Sequence, residues 1–396
     1  MIKKHLSELI TASGFFIIIA LSLILFNRDP GRVSYAENRN LALFPEVNGA
    51  NDVLSEGFAG ELASWFEDNL GLRDMYLTIS GILNYNLLHR AKTEKVELGK
   101  DGFLFLADEG NLEMDASPEE FMEKIPQYAK DQQAISDKLK SMGIEYVFML
   151  TPGKPSVYPE YIESSDHAAG ETIGDALYDH LMENTDVKAV WSKEAIVSKK
   201  DNEEGELLYL KTDTHWTTYG RNIAYRQLIE ALNDWGMTET SPAEVKFFKS
   251  EDPYVGDLSG MMGPVTWGGA RLSEESFTDW EIVSPKAKPV DGGDSYEAFK
   301  NLMYEKNVYN PELCAMYHND SVPEKKVLIC GDSMIGICLL PQLAECFSDL
   351  TFVWSYSLDE DIIEFVKPDI LISQFGERQL PLRLDDSRTF LEKDGR

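Results

Sequence analysis

The sequence predicts an α/β protein built on a mainly parallel sheet with helices on both faces, preceded by an N-terminal transmembrane helix. Three observations predict it. Short, largely apolar runs at 144–150, 326–330 and 350–354, broken only by Glu145, Lys326 and Thr351, read as strands buried on both faces. Segments with helical periodicity alternate with these runs, the order of a parallel sheet with helical crossovers. Residues 9–26 are eighteen in a row without a charge, close to the ~20 needed to span a bilayer.

Lys3 and Lys4 precede that run, and Arg28 and Arg32 follow it, so charge orients it poorly. The residues after Phe26 do not make a signal-peptidase site, which favours an uncleaved anchor. The expected organisation is a short tail over 1–8, the anchor over 9–26, a juxtamembrane linker and helical segment over 27–95, and a catalytic domain over 96–396. Pro30 and Gly31 break any helix in the linker. Two amphipathic helices are expected at 53–69 and 73–89, with Gly71 as the stop between them.

Beyond 96, Phe103 to Leu106 reads as a strand after an Asp101-Gly102 turn. A helix over 117–142 opens with Ser117 and Glu120 in capping-box spacing. Helices are expected at 176–183 and 217–235, and a long loop or insertion, rich in Gly and Ser, at about 250–297. A strand–helix rhythm follows, with strands at 326–330, 350–354 and 369–374. Between them lie helices at 334–347, interrupted at Pro341, and at 359–366.

The 396 residues carry 68 acidic and 37 basic side chains, a formal charge of −31. Such a surface repels nucleic-acid phosphates, so no nucleic-acid partner is expected. The four cysteines, Cys314, Cys330, Cys338 and Cys346, form no C-x-x-C pair, which argues against a zinc or thioredoxin-type centre. Cys338 and Cys346 would lie about 12 Å apart on a straight helix at ~1.5 Å per residue, too far to bridge. A bridge from Cys314 to one of the others stays open.

Gly331-Asp332-Ser333 follows an apolar strand and precedes a helix. Ligands of open parallel sheets bind off the carboxyl ends of strands, so the Ser333 hydroxyl is a candidate nucleophile. Backbone N–H groups at Gly331 and Ser333 are candidate oxyanion donors. The bland alternative is a helix N-cap at Asp332 or Ser333. A serine needs a base, and His215 stands apart from the other five histidines in Asp213-Thr214-His215-Trp216-Thr217. Two residues apart in an extended segment, Asp213 and His215 would project to the same side, letting the carboxylate fix the imidazole tautomer. Here the alternative is capping of the next helix by Asp213 or Thr217. Trp216, Tyr356 and Arg378 are candidate substrate contacts, with Arg378 able to hold an acidic group or to pair with Glu377. Lys154 reads as either structural or substrate-facing.

Taken in order, these motifs resemble the alginate O-acetyltransferase (AlgX/AlgJ) family and its Gram-positive relatives, the DHHW proteins. Besides Asp213-Thr214-His215-Trp216-Thr217 and Gly331-Asp332-Ser333, the matching segments include Asn38-Arg39-Asn40-Leu41, Gly71-Leu72-Arg73-Asp74 and Gly99-Lys100-Asp101-Gly102. Thr151-Pro152-Gly153-Lys154, Gly256-Asp257-Leu258-Ser259-Gly260 and Glu377-Arg378 complete them. The resemblance implies an SGNH-hydrolase-like fold with Asp213, His215 and Ser333 as a catalytic triad; no metal or cofactor is expected. It also implies a membrane-held, extracytoplasmic domain that transfers acetyl groups to a surface polysaccharide, supplied by a membrane-bound O-acyltransferase. Thr214 stands where DHHW proteins often have a second histidine. A polysaccharide esterase with the same residues, and a non-catalytic polysaccharide-binding or assembly component, are the alternatives.

Overall fold

The computed structural model describes residues 2–27, 33–34, 39–47, 57–107, 121–163, 170–274, 276–337, 339–384 and 389–392. They divide into two compact units: residues 1–98 with 255–273, and residues 99–254 with 274–396.

In the first unit the charge-free run lies in a helix, Ile2–Ile24. Its apolar side chains are exposed around the helix, Phe15 at 60 %, Phe16 at 67 % and Ile17 at 57 %. Among the described residues no helix is long and apolar enough to cross a membrane. The end of this helix is tied to the two that follow, Phe58–Asn69 and Arg73–Leu88. The Gly71 N–H donates to Ser22 O at 3.0 Å, and the Asn27 N–H to Asn69 O at 2.8 Å. The chain reverses at Leu72, whose φ of 64° is left-handed, and not at Gly71 as expected. Gly71 is needed for a different reason, since a Cβ there would lie 2.6 Å from the Leu25 backbone.

The second unit is built on a seven-stranded mixed sheet. In chain order its strands are β1 (Glu145–Thr151), β2 (Lys188–Trp191), β3 (Lys288–Pro289), β4 (Ala315–His318), β5 (Lys326–Gly331), β6 (Asp349–Trp354) and β7 (Ile370–Gly376). The spatial order is β2-β1-β7-β5-β6-β4-β3. The first five in that order run parallel, and β4 and β3 add an antiparallel edge. Every residue of β7 is buried, as are all but the first of β1 and β5. Helices Ile125–Ser141, Ile173–Asn184 and Thr218–Asp234 pack against this core.

The expected helix at 334–347 is two short helices, Ser333–Gly336 and Leu340–Ala344, with Pro341 in the first turn of the second. The expected loop at 250–297 is not irregular. It holds a helix, Asp257–Met262, and a strand, Phe277–Ile282, which pairs with Val245–Ser250. The Ser117–Glu120 capping box and Cys338 lie outside the described residues. Cys314, Cys330 and Cys346 are free and buried.

Candidate active site

The carboxyl ends of β1, β7 and β5 are neighbours, and a small pocket opens there, lined by Gly153, Lys154, Met334, Gly376 and Arg378. Thr214 lines it as well. The pocket therefore borders both elements singled out in the sequence, since Thr214 separates Asp213 from His215 and Met334 follows Ser333.

Ser333 is presented by a tightly pinned elbow. The Asp332 N–H donates to Gln374 Oε1 at 2.9 Å, and Gln374 Nε2 donates to Thr151 Oγ1 at 3.0 Å. Asp332 Oδ1 accepts the Met334 N–H and Oδ2 accepts the Gly376 N–H, both at 2.9 Å. Asp332 is thus the N-cap, and its carboxylate ties the short helix to the end of β7. The glutamine crosses so close that a Cβ on residue 331 would lie 2.6 Å from its Oε1, so a side chain there would displace the amide that holds Asp332. Gly331 itself is the last residue of β5, in register with Trp354. With Asp332 doing the capping, the Ser333 side chain is left out of the scaffold. Its hydroxyl makes no hydrogen bond among the described residues.

Asp213 and His215 sit in a tight hairpin and not in an extended segment. The Thr217 N–H donates to Leu208 O at 2.9 Å, closing the hairpin beneath a bridge between Tyr209 and Trp216. Asp213 Oδ1 accepts from the His215 backbone N–H at 2.9 Å and contacts His215 Nδ1 at 2.6 Å. The short side chain hydrogen-bonds its own backbone two residues on, an Asx turn. This turn brings carboxylate and imidazole together. Asp213 Oδ2 accepts the Tyr254 hydroxyl at 2.8 Å. Burial pushes the Asp213 carboxyl up, but the hydrogen bonds and charge of His215, with the Tyr254 hydroxyl, outweigh it and hold it well below the usual carboxylate range.

Three further side chains frame this hairpin, and of them only Lys154 stands out in the sequence. Lys154, 3 % exposed, donates from Nζ to the carbonyls of Leu210, Lys211 and Asp213 at 3.0, 3.1 and 2.6 Å. Glu274 Oε1 accepts the N–H and the hydroxyl of Thr212 at 2.8 and 2.9 Å. Tyr254 is the third. The choice left open for Lys154 is decided for its ammonium, which is spent on the backbone of the hairpin.

The other candidate contacts divide. Trp216 is 2 % exposed inside the core, so its ring has no face left for a sugar. Tyr356 stacks on Phe375 with centroids 6.2 Å apart and lines a separate pocket with Arg383. Burial and the Asp332 charge push its hydroxyl up to about 12. Arg378 lines the first pocket and does not pair with Glu377. That carboxylate is fully buried, accepting the N–H groups of Gly153 and Gly174 at 3.1 and 3.2 Å and the Ser156 hydroxyl. Burial raises its pKa. Among the described residues Arg378 has no hydrogen bond or ion pair.

A mainly parallel sheet with a serine elbow after a central strand and an Asp-x-His hairpin beside it defines an SGNH-hydrolase-like protein. The chain belongs to the family described as the SGNH hydrolase-like domain of the acetyltransferase AlgX, whose model matches residues 96–299, just over half of the chain. It is 26 % identical over 291 residues to a probable alginate O-acetylase AlgJ of Pseudomonas putida, covering 73 % of this chain and 71 % of that protein. Bacillus cereus PatB1 has a similar fold, with a TM-score of 0.52 at 15 % identity over 72 % of this chain and 96 % of that one. A DHHW family protein from Eubacterium siraeum gives a TM-score of 0.45 at 14 % identity, over 71 % of this chain and 94 % of that one.

Proposed function

We propose that this chain is an O-acetyltransferase that carries an acetyl group on Ser333 and passes it to a hydroxyl of a cell-surface or exported polysaccharide. The observation that carries the reading is the 2.6 Å contact between Asp213 Oδ1 and His215 Nδ1. A carboxylate on Nδ1 sets Nε2 to take and return a proton, and a serine hydroxyl is a weak nucleophile until a base acts on it. In the first half-reaction Ser333 Oγ bonds to the acetyl carbonyl carbon of the donor. Its proton passes to His215 Nε2 and leaves with the donor's departing group. In the second, the acceptor hydroxyl gives its proton to Nε2 as its oxygen bonds to the acyl carbon. The Ser333 ester bond then breaks and the proton returns to Oγ. The Ser333 N–H is the proposed donor to the carbonyl oxygen, while Gly331, paired in the sheet, makes room for the turn. Arg378 is the proposed contact for an acidic substituent of the acceptor. A membrane-bound O-acyltransferase is the proposed source of acetyl groups.

Transfer must outrun hydrolysis of the same acyl-enzyme. Positioning an acceptor supplies effective molarities of ~10⁵ M or more, well above water at roughly tens of molar. A chromogenic acetyl ester offered together with candidate surface oligosaccharides is expected to give more acetylated sugar than free acetate. Free acetate dominating with every oligosaccharide, with loss of acetyl groups from pre-acetylated polymer, would make the enzyme an esterase.

Residues 9–26 are proposed as a single-pass anchor that holds the chain after them outside the cytoplasm. Its support is the charge-free run together with apolar side chains exposed around the helix. Protease added to intact cells is expected to remove the globular part. Survival of that part, with lysed cells as the control, refutes the anchor.

A further inference from the structure

The two oxygens of the Asp213 carboxylate have different partners. Oδ1 takes both contacts from His215, and Oδ2 takes the Tyr254 hydroxyl at 2.8 Å. Tyr254 and Glu274 are themselves paired. The Tyr254 N–H donates to Glu274 O at 3.1 Å, and the Glu274 N–H donates back to Tyr254 O at 2.8 Å. Glu274 in turn holds Thr212, the residue before Asp213, through both its N–H and its hydroxyl. One backbone bridge therefore carries two side chains that grip two consecutive residues of the hairpin.

We propose that Tyr254 and Glu274 form a positioning clamp, in which the Tyr254 hydroxyl sets the rotation of the Asp213 carboxylate and Glu274 sets the backbone before it. The proposal rests on the reading of His215 as the base. A carboxylate turns about its Cβ–Cγ bond in a broad, roughly two-fold well, so contacts on one oxygen define its plane loosely. A donor on the second oxygen adds the point that fixes the plane. The imidazole bonded to that carboxylate is then aimed, and small misplacements of catalytic groups cost up to ~10²-fold in rate. Tyr254 and Glu274 do not line the pocket at the strand ends, so their effect should fall on the chemical step.

Tyr254→Phe keeps the ring, which packs on Phe277 at 5.5 Å between centroids, and removes only the hydroxyl. It is expected to lower kcat about tenfold with KM within about twofold, and to leave the thermal midpoint nearly unchanged. Glu274→Ala is expected to lower kcat by a similar factor. Glu274→Gln keeps an acceptor oxygen at the same place and should restore most of it. The second readout is the proton NMR resonance of the His215 Nδ1–H, which should move or broaden in Tyr254→Phe and stay in place in Glu274→Gln. Parental kcat in Tyr254→Phe with an unmoved resonance overturns the clamp, as does a loss confined to KM. If Ser333→Ala keeps its turnover, the acyl-enzyme reading fails. The resonance then still decides whether Tyr254 orients the Asp213–His215 pair.

Discussion

Ser333→Ala and His215→Ala are each expected to lower kcat on an acetyl ester by about 10³-fold or more, and the double variant to be little worse than either. The two losses overlap because the serine is reactive only while the imidazole takes its proton, so removing either group removes the same step. The serine variant should be a clean probe. The Ser333 hydroxyl makes no hydrogen bond among the described residues, and the elbow is held by Asp332 and Gln374. Its thermal midpoint should therefore match that of the parent. In His215→Ala the backbone N–H of residue 215 and the Tyr254 hydroxyl still reach the Asp213 carboxylate. Because that carboxyl is held well below its ordinary range, its contribution to stability is present above the unfolded value. It is lost only as pH falls through the depressed one. Activity lost in mild acid is thus not a titration of Asp213. Near-parental turnover in Ser333→Ala would falsify the assignment.

What the sequence made legible follows from where side chains lie. Parallel strands buried on both faces are mostly apolar, so β1, β5, β6 and β7 stand out as largely apolar runs, their polar residues mostly falling at the ends or, like Gln374, being hydrogen-bonded. The antiparallel edge did not stand out. Ala315–His318 is only partly buried, and Lys288–Pro289 is two exposed residues. The hairpin of Val245–Ser250 with Phe277–Ile282 is also half-exposed, and the Gly-rich stretch before its second strand masks it. At the candidate site, the strand-to-helix turn at Ser333 was legible from the apolar run before it, and the pairing of Asp213 with His215 from their spacing. Their contact proved to come from an Asx turn, a geometry that spacing alone does not select. The burial of Trp216 was not legible, because it follows from the bridge to Tyr209 that places the ring in the core. Lys154, Tyr254, Glu274 and Gln374 act on residues 41 to 62 positions away. Lys154 stood out in its Thr-Pro-Gly-Lys segment, but no local pattern marks Tyr254, Glu274 or Gln374. Each becomes visible only when the sheet brings its carboxyl ends together.

Lys154→Met is expected to destabilise the protein by roughly 3–5 kcal/mol and, where the variant is still folded, to lower kcat about 10²-fold. The ammonium of Lys154 has three N–H groups, and three carbonyls of the hairpin receive it, at Leu210, Lys211 and Asp213. The residue opens the short helix after β1, and its neighbours bind the same hairpin. The Tyr209 hydroxyl donates to Pro152 O, and the Leu208 N–H donates to the Tyr158 hydroxyl at 3.0 Å. The segment 152–158 is therefore a bed on which the Asp213 loop lies, and Lys154 is its central peg. Methionine keeps the length and apolar stem of the side chain but offers no donor. Three carbonyls then lose a buried partner, each costing ~1–3 kcal/mol before relaxation and water entry recover part of it. Arginine is not a rescue, because a planar fork cannot direct three donors from one atom. The urea midpoint measures the first effect, and kcat at a temperature well below unfolding measures the second. A variant whose urea midpoint and kcat both stay within experimental scatter of the parent would show that the hairpin holds its shape without the lysine, and that the carbonyl cradle is incidental.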